Sequence, residues 1–349
     1  MRARVTVLAA VTAAVVMIWI VLGSGATEAG PPPPPSITLR IATQMPNGTV
    51  WMDALADVQK DVKEESRGRV ELQYFAGGTQ GDEKAVLERM GVGILHGGLF
   101  SGIGLGEALP ELLALELPFV YRDRAELEAV RAALEADFGA RLERRGLVLL
   151  GWADFGEGHI FSKVEARSLD ELRRRKIAIA PDHKLAEPVL GVLGLTGVPL
   201  PLTDVAASLE SGAVDAILVT TQTLVGLQWH GHVRYRSGLP LGPTTGALIV
   251  SKAEWEKIPA PVRAKLAPII RRRLDRLPTE VAAKDEQVTA DLRGKGLTVL
   301  GVSEDEASQY AQLGDRIADQ MVGVLYDKEL LERVRAVLAE RRKSPAGGR

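Results

Sequence analysis

The chain has 349 residues, of which 46% are hydrophobic and 25% are charged, and its formal net charge is −2 at pH 7. This length is sufficient for two domains that each bury a core. The near-neutral charge gives no sign of the basic footprint by which proteins bind nucleic acids. The sequence contains no cysteine, which excludes disulfide bonds, thiol chemistry and lipidation of an amino-terminal cysteine.

The first 30 residues have the pattern of a targeting segment. Two early arginines precede the uninterrupted apolar run Val5–Leu22, and the small residues Ser24–Ala26 offer a cleavage site. The run is long for a signal peptide, so an uncleaved membrane anchor is the alternative. Residues 31–36 form a proline-rich linker, which would hold a domain away from the membrane. We expect a periplasmic protein, either released by cleavage or tethered to the inner membrane.

The chain then begins with alternating strand and helix patterns. Ile37–Ala42 alternates apolar and polar residues and predicts a strand. Apolar residues at helical spacing follow in Trp51–Val62, and Val70–Phe75 is the next predicted strand. A helix opened by Asp82 carries apolar side chains as far as Ile94. This order is that of a βαβα unit.

The glycine-dense stretch Gly97–Gly106 has two readings. Its three alternating glycines loosely echo a dinucleotide-binding fingerprint, but the spacing is wrong and no helix pattern follows directly. The stretch is better explained as a strand that runs into a loop, where glycines let the backbone approach a cleft. Phe100 and Ser101 would then face that cleft.

A long helix pattern over Leu127–Leu142 leads to a strand at Leu147–Trp152. The following residues, Gly151–Glu157, are predicted to be a crossing between two domains. Asp154, Glu157 and His159 could act as an acid and a base. Polar groups in a loop are more often simply solvated, so we do not predict an enzyme.

The central part of the chain reads as a βαβαβ unit. Strands are predicted at Lys176–Ala180, Val198–Leu200 and Val214–Val219, with helices at Leu185–Leu195 and Thr203–Ser211 between them. Gly212 stands where a helix end favours a left-handed residue. Ligands of such sheets collect beyond the carboxyl ends of the strands, which here are Ala180–Asp182 and Val219–Gln222.

The last third of the chain is predicted to be largely helical. Leu239–Pro243 and Gly246–Ser251 would form the return crossing. Beyond it we predict helices at Ile258–Leu277, which Pro278 should stop, and at Thr279–Arg293, Ala307–Leu325 and Lys328–Arg341, with one strand at Leu297–Val302. His230 and His232 are too few ligands for a metal site. We predict no metal and no cofactor.

Several stretches resemble the periplasmic solute-binding subunits of tripartite ATP-independent periplasmic (TRAP) transporters. Tyr74–Asp82 is similar to the family's YPNGQLGDD turn, and Leu117–Phe119 to its LPFLF motif. The βαβαβ unit matches a third family stretch, and the resemblance covers most of Ile37–Thr298. It implies an α/β, two-lobed periplasmic-binding-protein fold (class II-like) with a central cleft and a long helical spine.

The resemblance also implies a function and a division of the chain. A small organic ligand would be captured by hinge closure and delivered to a membrane permease of two integral-membrane subunits. Lobe I would comprise residues 37–150 with part of 248–349, which also supplies the spine, and lobe II residues 151–247. The alternative is a periplasmic carrier or sensor of a hydrophobic ligand that works with another periplasmic protein, such as a helical-repeat partner.

Two departures from the family pattern concern the ligand. The family's carboxylate-binding arginine falls at Ala178, and an asparagine of the opposite wall falls at Val219. Without this clamp we expect an apolar or amphipathic acid rather than a simple C4-dicarboxylate. The resemblance carries the ligand-binding role by position to Gln80, Phe100, Ser101, Trp152, His159, Phe161, Ala178, Pro181, Thr221, Gln222 and Trp229, of which Phe100 and Trp229 could as easily be core residues.

Overall fold

The structure is a computed structural model that describes residues 36–343. The targeting segment and residues 31–35 of the linker lie outside the described residues. From Ile37 onward the chain forms one compact unit. Within the described part, none of the helices combines the length and the apolar character needed to cross a bilayer.

Ten strands form one mixed sheet. They are β1 (Ile37–Thr43), β2 (Val70–Phe75), β3 (Gly97–Phe100), β4 (Leu147–Ser162), β5 (Lys176–Ile179), β6 (Thr196–Pro199), β7 (Ala216–Thr220), β8 (Tyr235–Arg236), β9 (Gly242–Ser251) and β10 (Thr298–Val299). The order across the sheet is β2-β1-β3-β9-β4-β7-β5-β6, and β8 pairs with both β4 and β10.

Thirteen helices surround the sheet in the described residues. They are α1 (Val50–Glu65), α2 (Glu83–Gly91), α3 (Gly102–Ala108), α4 (Arg124–Arg144), α5 (Leu169–Leu172), α6 (Ala186–Leu193), α7 (Val205–Ser211), α8 (Thr221–Gly226), α9 (Lys252–Glu256), α10 (Ala260–Leu274), α11 (Leu277–Gly294), α12 (Glu304–Gln320) and α13 (Lys328–Lys343). Short 3₁₀ helices occupy Pro110–Glu116, Leu202–Asp204 and Trp229–His232.

The sheet explains the two-lobed α/β architecture. One parallel group, β1 to β3, lies on one side, and a second, β5 to β7, lies on the other. The antiparallel strands β4 and β9 stand between them and pair from Leu147–Ser251 to Gly158–Gly242. β4 is 16 residues long, so it continues from the first group into the second. The strands β4 and β9 therefore connect the two parallel groups of strands.

The helix α11 links two apolar clusters. Its early residues Leu277 and Val281 pack with Trp51 and Phe155, whose rings stack with centroids 5.0 Å apart. Its late residue Leu292 packs in a separate cluster beneath β5 and β7. The helix thus forms the predicted spine. The largest cluster contains residues from both predicted lobes, and the lobe boundaries remain a prediction.

The stretch Gly97–Gly106 differs from its prediction, because a helix and not a loop follows β3. The Ser101 hydroxyl accepts a hydrogen bond from the Ile103 amide, and the buried Glu83 carboxylate accepts one from the Gly104 amide. A Cβ at Gly104 would lie 2.7 Å from Glu83 Oε2. The glycines therefore let a remote carboxylate approach and stabilise the start of α3.

Three smaller predictions also need correction. Pro278 was expected to stop a helix, but it lies in the first turn of α11, where a missing amide hydrogen costs nothing. Ile94 lies beyond α2 and is exposed. The helix predicted from Thr203 begins at Val205, because Thr203 belongs to a 3₁₀ turn, although Gly212 does end that helix in the left-handed conformation.

Candidate ligand-binding site

Three of the residues carried over by position are core residues. Phe161, Ala178 and Trp229 belong to one buried cluster under α7 and α8, and both Phe161 and Ala178 are fully inaccessible. Ala178 therefore packs inside this apolar cluster and does not present an open surface. The apolar side chains at these positions are packed against one another by the chain itself.

Two further aromatic residues of that set are also buried. Phe100 and Trp152 lie in the largest apolar cluster. The indole Nε1 of Trp152 donates to Glu135 Oε2 at 3.0 Å, and the Arg131 guanidinium lies 5.0 Å from the centre of the Trp152 ring. Both side chains are held by packing, as is typical of large aromatic residues.

Three polar or exposed positions of the set lie apart from one another. Ser101 is held by the Glu83 carboxylate, which accepts from both its amide and its hydroxyl at 2.9 Å. Gln80 Oε1 accepts from Arg89 at 2.9 Å, and Pro181 is exposed beyond β5. None of these contacts brings the three residues together.

The remaining residues meet in a polar group that we call the hinge cluster. It comprises Glu157, His159, Thr221, Gln222, Arg236 and Asp285. The Thr221 hydroxyl donates to Asp285 Oδ2 at 3.2 Å, and the Gln222 amide group approaches the same carboxyl without closing a hydrogen bond. Arg236 donates to Thr289 Oγ1 at 3.1 Å. The cluster lies where β4, the carboxyl end of β7 and the spine helix α11 converge.

Burial strongly perturbs the titration of this cluster. Burial, with the nearby charges of Asp154 and Asp285, raises the pKa of Glu157 to about 7. Burial also raises the pKa of Asp285. The pKa of His159 falls to about 3, because burial and the Arg236 charge both oppose protonation. The neutral His159 ring can donate from Nδ1 to the Ser237 carbonyl oxygen, 3.2 Å away. Groups whose pKa is strongly perturbed by burial and neighbouring charges cluster at functional sites.

Replacement of Glu157 by glutamine tests this electrostatic environment. The pKa of Glu157 is higher in the folded than in the unfolded chain, so its contribution to stability is complete below about pH 4.5 and is lost as the pH rises through about 7. The change that Glu157→Gln makes in the free energy of unfolding should therefore be more stabilising at pH 8 than at pH 4.5, by about 1 kcal/mol. Urea unfolding at both pH values measures this difference, and an equal effect at both would contradict the prediction.

A second polar group joins the loop after β5 to the first lobe. Glu116 Oε2 lies 3.0 Å from His183 Nε2, and its other oxygen accepts from the Thr245 amide at 2.6 Å. Lys184 donates to the Gly106 carbonyl at 2.9 Å and pairs with Glu107 at 3.1 Å. These contacts bring the carboxyl end of β5 against α3 and its flanking residues.

Sequence reasoning missed Arg236, Asp285 and His183 as members of these groups. A signal for Asp285 was present, because it and Thr289 interrupt the apolar face that Val281 and Leu292 define on α11. Arg236 carried no comparable signal, since β8 has only two residues.

The hinge cluster has the chemistry of a binding site for a polar small molecule. It offers guanidinium, amide and hydroxyl donors beside two carboxyl groups of raised pKa. The described residues contain no group of three or more side chains that could hold a metal ion. A few convergent polar groups next to an apolar cluster are typical of ligand pockets.

Comparison with known proteins agrees with this architecture. The DctP family, described as bacterial extracellular solute-binding protein family 7, matches residues 41–323. A solute-binding protein of Verminephrobacter eiseniae is 26% identical over 280 residues, which cover 75% of this chain and 79% of that protein. The sialic acid-binding periplasmic protein SiaP of Vibrio cholerae is 19% identical over 267 residues, covering 75% and 82% of the two chains.

Solved structures show the same fold. A TRAP periplasmic solute-binding protein of Desulfovibrio salexigens with bound orotic acid superposes with a TM-score of 0.81, at 16% identity, over 87% of this chain and 99% of its own. DctP7 of Bordetella pertussis, a receptor that binds pyroglutamic acid, gives a TM-score of 0.78 at 17% identity, over 86% and 99%. From the family match over most of its length, this chain belongs to the DctP family of bacterial extracellular solute-binding proteins.

Proposed function

We propose that this protein captures a small organic acid between its two lobes by hinge closure and delivers it to a TRAP-type membrane permease. The observation that carries the proposal is the pair of long strands β4 and β9, which connect two α/β lobes beside a polar cluster. Two lobes joined by a few crossing segments are the arrangement that closes around a ligand. Members of the family are solute receptors rather than enzymes.

The ligand class is proposed from relatives and from the hinge cluster together. Structural neighbours bind succinate in the Sulfurospirillum deleyianum protein and D-glucuronate in the Pseudomonas putida protein. Both ligands are polar organic acids. The hinge cluster favours such an acid over the apolar or amphipathic acid expected from the sequence, because an apolar group would leave its buried donors without acceptors.

We propose the lobe boundaries predicted from the sequence, with residues 151–247 as lobe II, and Thr221, Gln222 and His159 as ligand-facing residues. Phe100, Trp152, Phe161, Ala178 and Trp229 would act as packing behind the site, since all five are apolar and belong to the buried apolar clusters. Gln80, Ser101 and Pro181 would line its rim. These roles follow from the placement of Thr221 and Gln222 at the carboxyl end of β7.

The location proposed is the periplasm, where TRAP receptors act. Tethering by an uncleaved amino-terminal segment is the alternative to release by cleavage. A helical-repeat partner belongs to the alternative function, a carrier or sensor that works with another periplasmic protein. No observation in the described residues favours that alternative over delivery to a permease. Fractionation of cells that express the full chain would separate a released from a membrane-bound form.

Calorimetric titration of the purified full chain tests the proposal. After removal of co-purified ligand, the protein is titrated at pH 7 with orotate, succinate, D-glucuronate and pyroglutamate, and with palmitate as an apolar acid. We expect at least one polar acid to bind with one-site stoichiometry and to raise the melting temperature, since a ligand of the folded state stabilises it. Binding of palmitate alone, or of none of these acids, would contradict the proposed ligand class.

A further inference from the structure

The sheet register places an arginine in the same row as Ala178. Ala178 pairs with Ile217, Ile217 pairs with Phe161, and Phe161 pairs with Arg236. Directly paired residues of neighbouring strands present their side chains on the same face of a sheet. Arg236 and Ala178 therefore lie on the same face of the sheet, at opposite ends of one row of paired residues. Ala178 is the position at which the family resemblance expects an arginine.

The Arg236 guanidinium is directed toward the hinge cluster. Its Nη1 donates to Thr289 on the spine helix, one helical turn beyond Asp285. Its charge contributes to the lowered pKa of His159 and opposes the raised pKa of Asp285, so both groups lie close to it. The guanidinium thus lies between β4 and α11, on the side of α11 that carries Asp285, and Asp285 is also the carboxyl that Thr221 and Gln222 approach.

Two buried donors in this cluster have no acceptor among the described residues. They are Nε of Arg236 and Nε2 of Gln222. No carboxylate oxygen in residues 36–343 lies within 4.0 Å of a side-chain nitrogen of Arg236. Burial lowers the pKa of this guanidinium. Arg131 also has a buried Nε without an acceptor, but its guanidinium, in contrast, is paired with the carboxylate of Asp154. Buried donors without acceptors are costly, and their retention calls for an explanation.

We propose that Arg236 and Gln222 bind the carboxylate of the ligand, in place of the arginine and asparagine expected at positions 178 and 219. A carboxylate has acceptor sites for both unpaired donors at once. The inference rests on the proposed function and names the residues that determine its specificity for acids. Thr289 positions the guanidinium from the spine helix.

The acidic neighbours make this binding depend on pH. The titratable and charged groups near the Arg236 side chain are His159, Asp285 and Arg293, and Glu157 lies near Asp285 and Asp154. A bound carboxylate is repelled by ionised Glu157 and Asp285. Because the pKa of Glu157 is about 7, its charge is largely lost by pH 6, whereas His159 remains neutral. Affinity for an acid should therefore rise several-fold between pH 8 and pH 6.

The test compares variants of the full chain by calorimetric titration with the four polar acids named above. Arg236→Gln should weaken binding of the acid that the unaltered protein takes by about 30-fold or more, because a charge-assisted bond is lost. Gln222→Met should weaken it by about 10-fold. Arg234→Gln is the matched control, since Arg234 is an exposed arginine two residues away on the same edge, and it should leave affinity unchanged.

The outcomes separate this inference from the proposed function. If Arg236→Gln without ligand melts at a much lower temperature than the unaltered protein, Arg236→Lys replaces it. Lysine keeps the charge but lacks the planar guanidinium, so this variant should bind the acid more weakly than the unaltered protein at both pH 6 and pH 8. If an acid binds the unaltered protein and Arg236→Gln binds it equally well, the inference is wrong and the proposed function stands. If none of the four acids binds the unaltered protein, the proposed function fails and this inference fails with it.

Discussion

Replacing Gly246 by alanine is expected to lower the free energy of unfolding by about 3 kcal/mol, at the upper end of the usual cost of overpacking. Gly246 lies on β9 where this strand pairs with β4 at Ala153. An added Cβ would lie 2.1 Å from the Phe155 ring and 2.5 Å from the Ala153 carbonyl oxygen, and 2.6 Å from that of Phe100. Two of these neighbours are backbone atoms, so they cannot move aside without disturbing the connection between the lobes.

Gly158→Ala is the matched control for this prediction. Gly158 lies on β4, in the same pair of strands, and faces Gly242 on β9. The nearest atom to a Cβ added at Gly158 would be the Gly242 carbonyl oxygen, at 3.6 Å, which is an ordinary van der Waals contact. We expect a change within about 0.5 kcal/mol, as for substitutions without a steric conflict. Urea unfolding followed by circular dichroism measures both variants. Equal stabilities for the two variants would show that the crossing strands are not tightly packed at Gly246.

Replacing Arg131 by methionine is expected to cost about 3–5 kcal/mol of stability. The Arg131 guanidinium pairs with the Asp154 carboxylate, and both side chains are almost completely buried. Arg131 also donates to the Thr245 hydroxyl at 3.3 Å, which ties α4 to both crossing strands. The methionine variant keeps most of the apolar stem but leaves a buried carboxylate without its partner, and the cost arises from that unpaired charge.

Two further variants identify the cause of that loss. Arg124→Met removes an exposed arginine of the same helix, whose pair with Glu128 is solvated, and should cost no more than about 0.5 kcal/mol. Arg131→Met combined with Asp154→Leu removes both charges and should recover a large part of the lost stability. If the single Arg131 variant is no less stable than the Arg124 variant, the buried pair does not hold the hinge together.

Most of the secondary structure could be predicted because it follows from local patterns. The strand Val70–Phe75 and the helix over Leu127–Leu142 are encoded by the spacing of their own apolar residues. The helix after β3 could not be predicted in this way. It depends on the carboxylates of Glu83 and Glu116, which come from other elements and contact glycines that look like loop residues in the sequence.

The candidate site could be predicted only in part, for the same reason. Thr221 and Gln222 follow a strand of a recognisable βαβαβ unit, so the sequence indicates the edge on which they lie. Asp285 and Arg236 reach that edge from the spine helix and from a two-residue strand, and only the tertiary structure brings them there. Ala178 shows the converse, since a position expected in the cleft is core in this chain.

The distance between the lobes under ligand titration tests the central claim most directly. The sequence contains no cysteine, so cysteines introduced at the exposed residues Glu88 on α2 and Glu210 on α7 give a protein with only these two thiols for spin labels. Double electron–electron resonance then reports the distance between the lobes without ligand and with the acid identified by calorimetry. Hinge closure predicts that the acid shortens the mean distance and narrows its distribution, and that Arg236→Gln requires a higher acid concentration for the same change. An unchanged distribution at saturating acid would contradict the account.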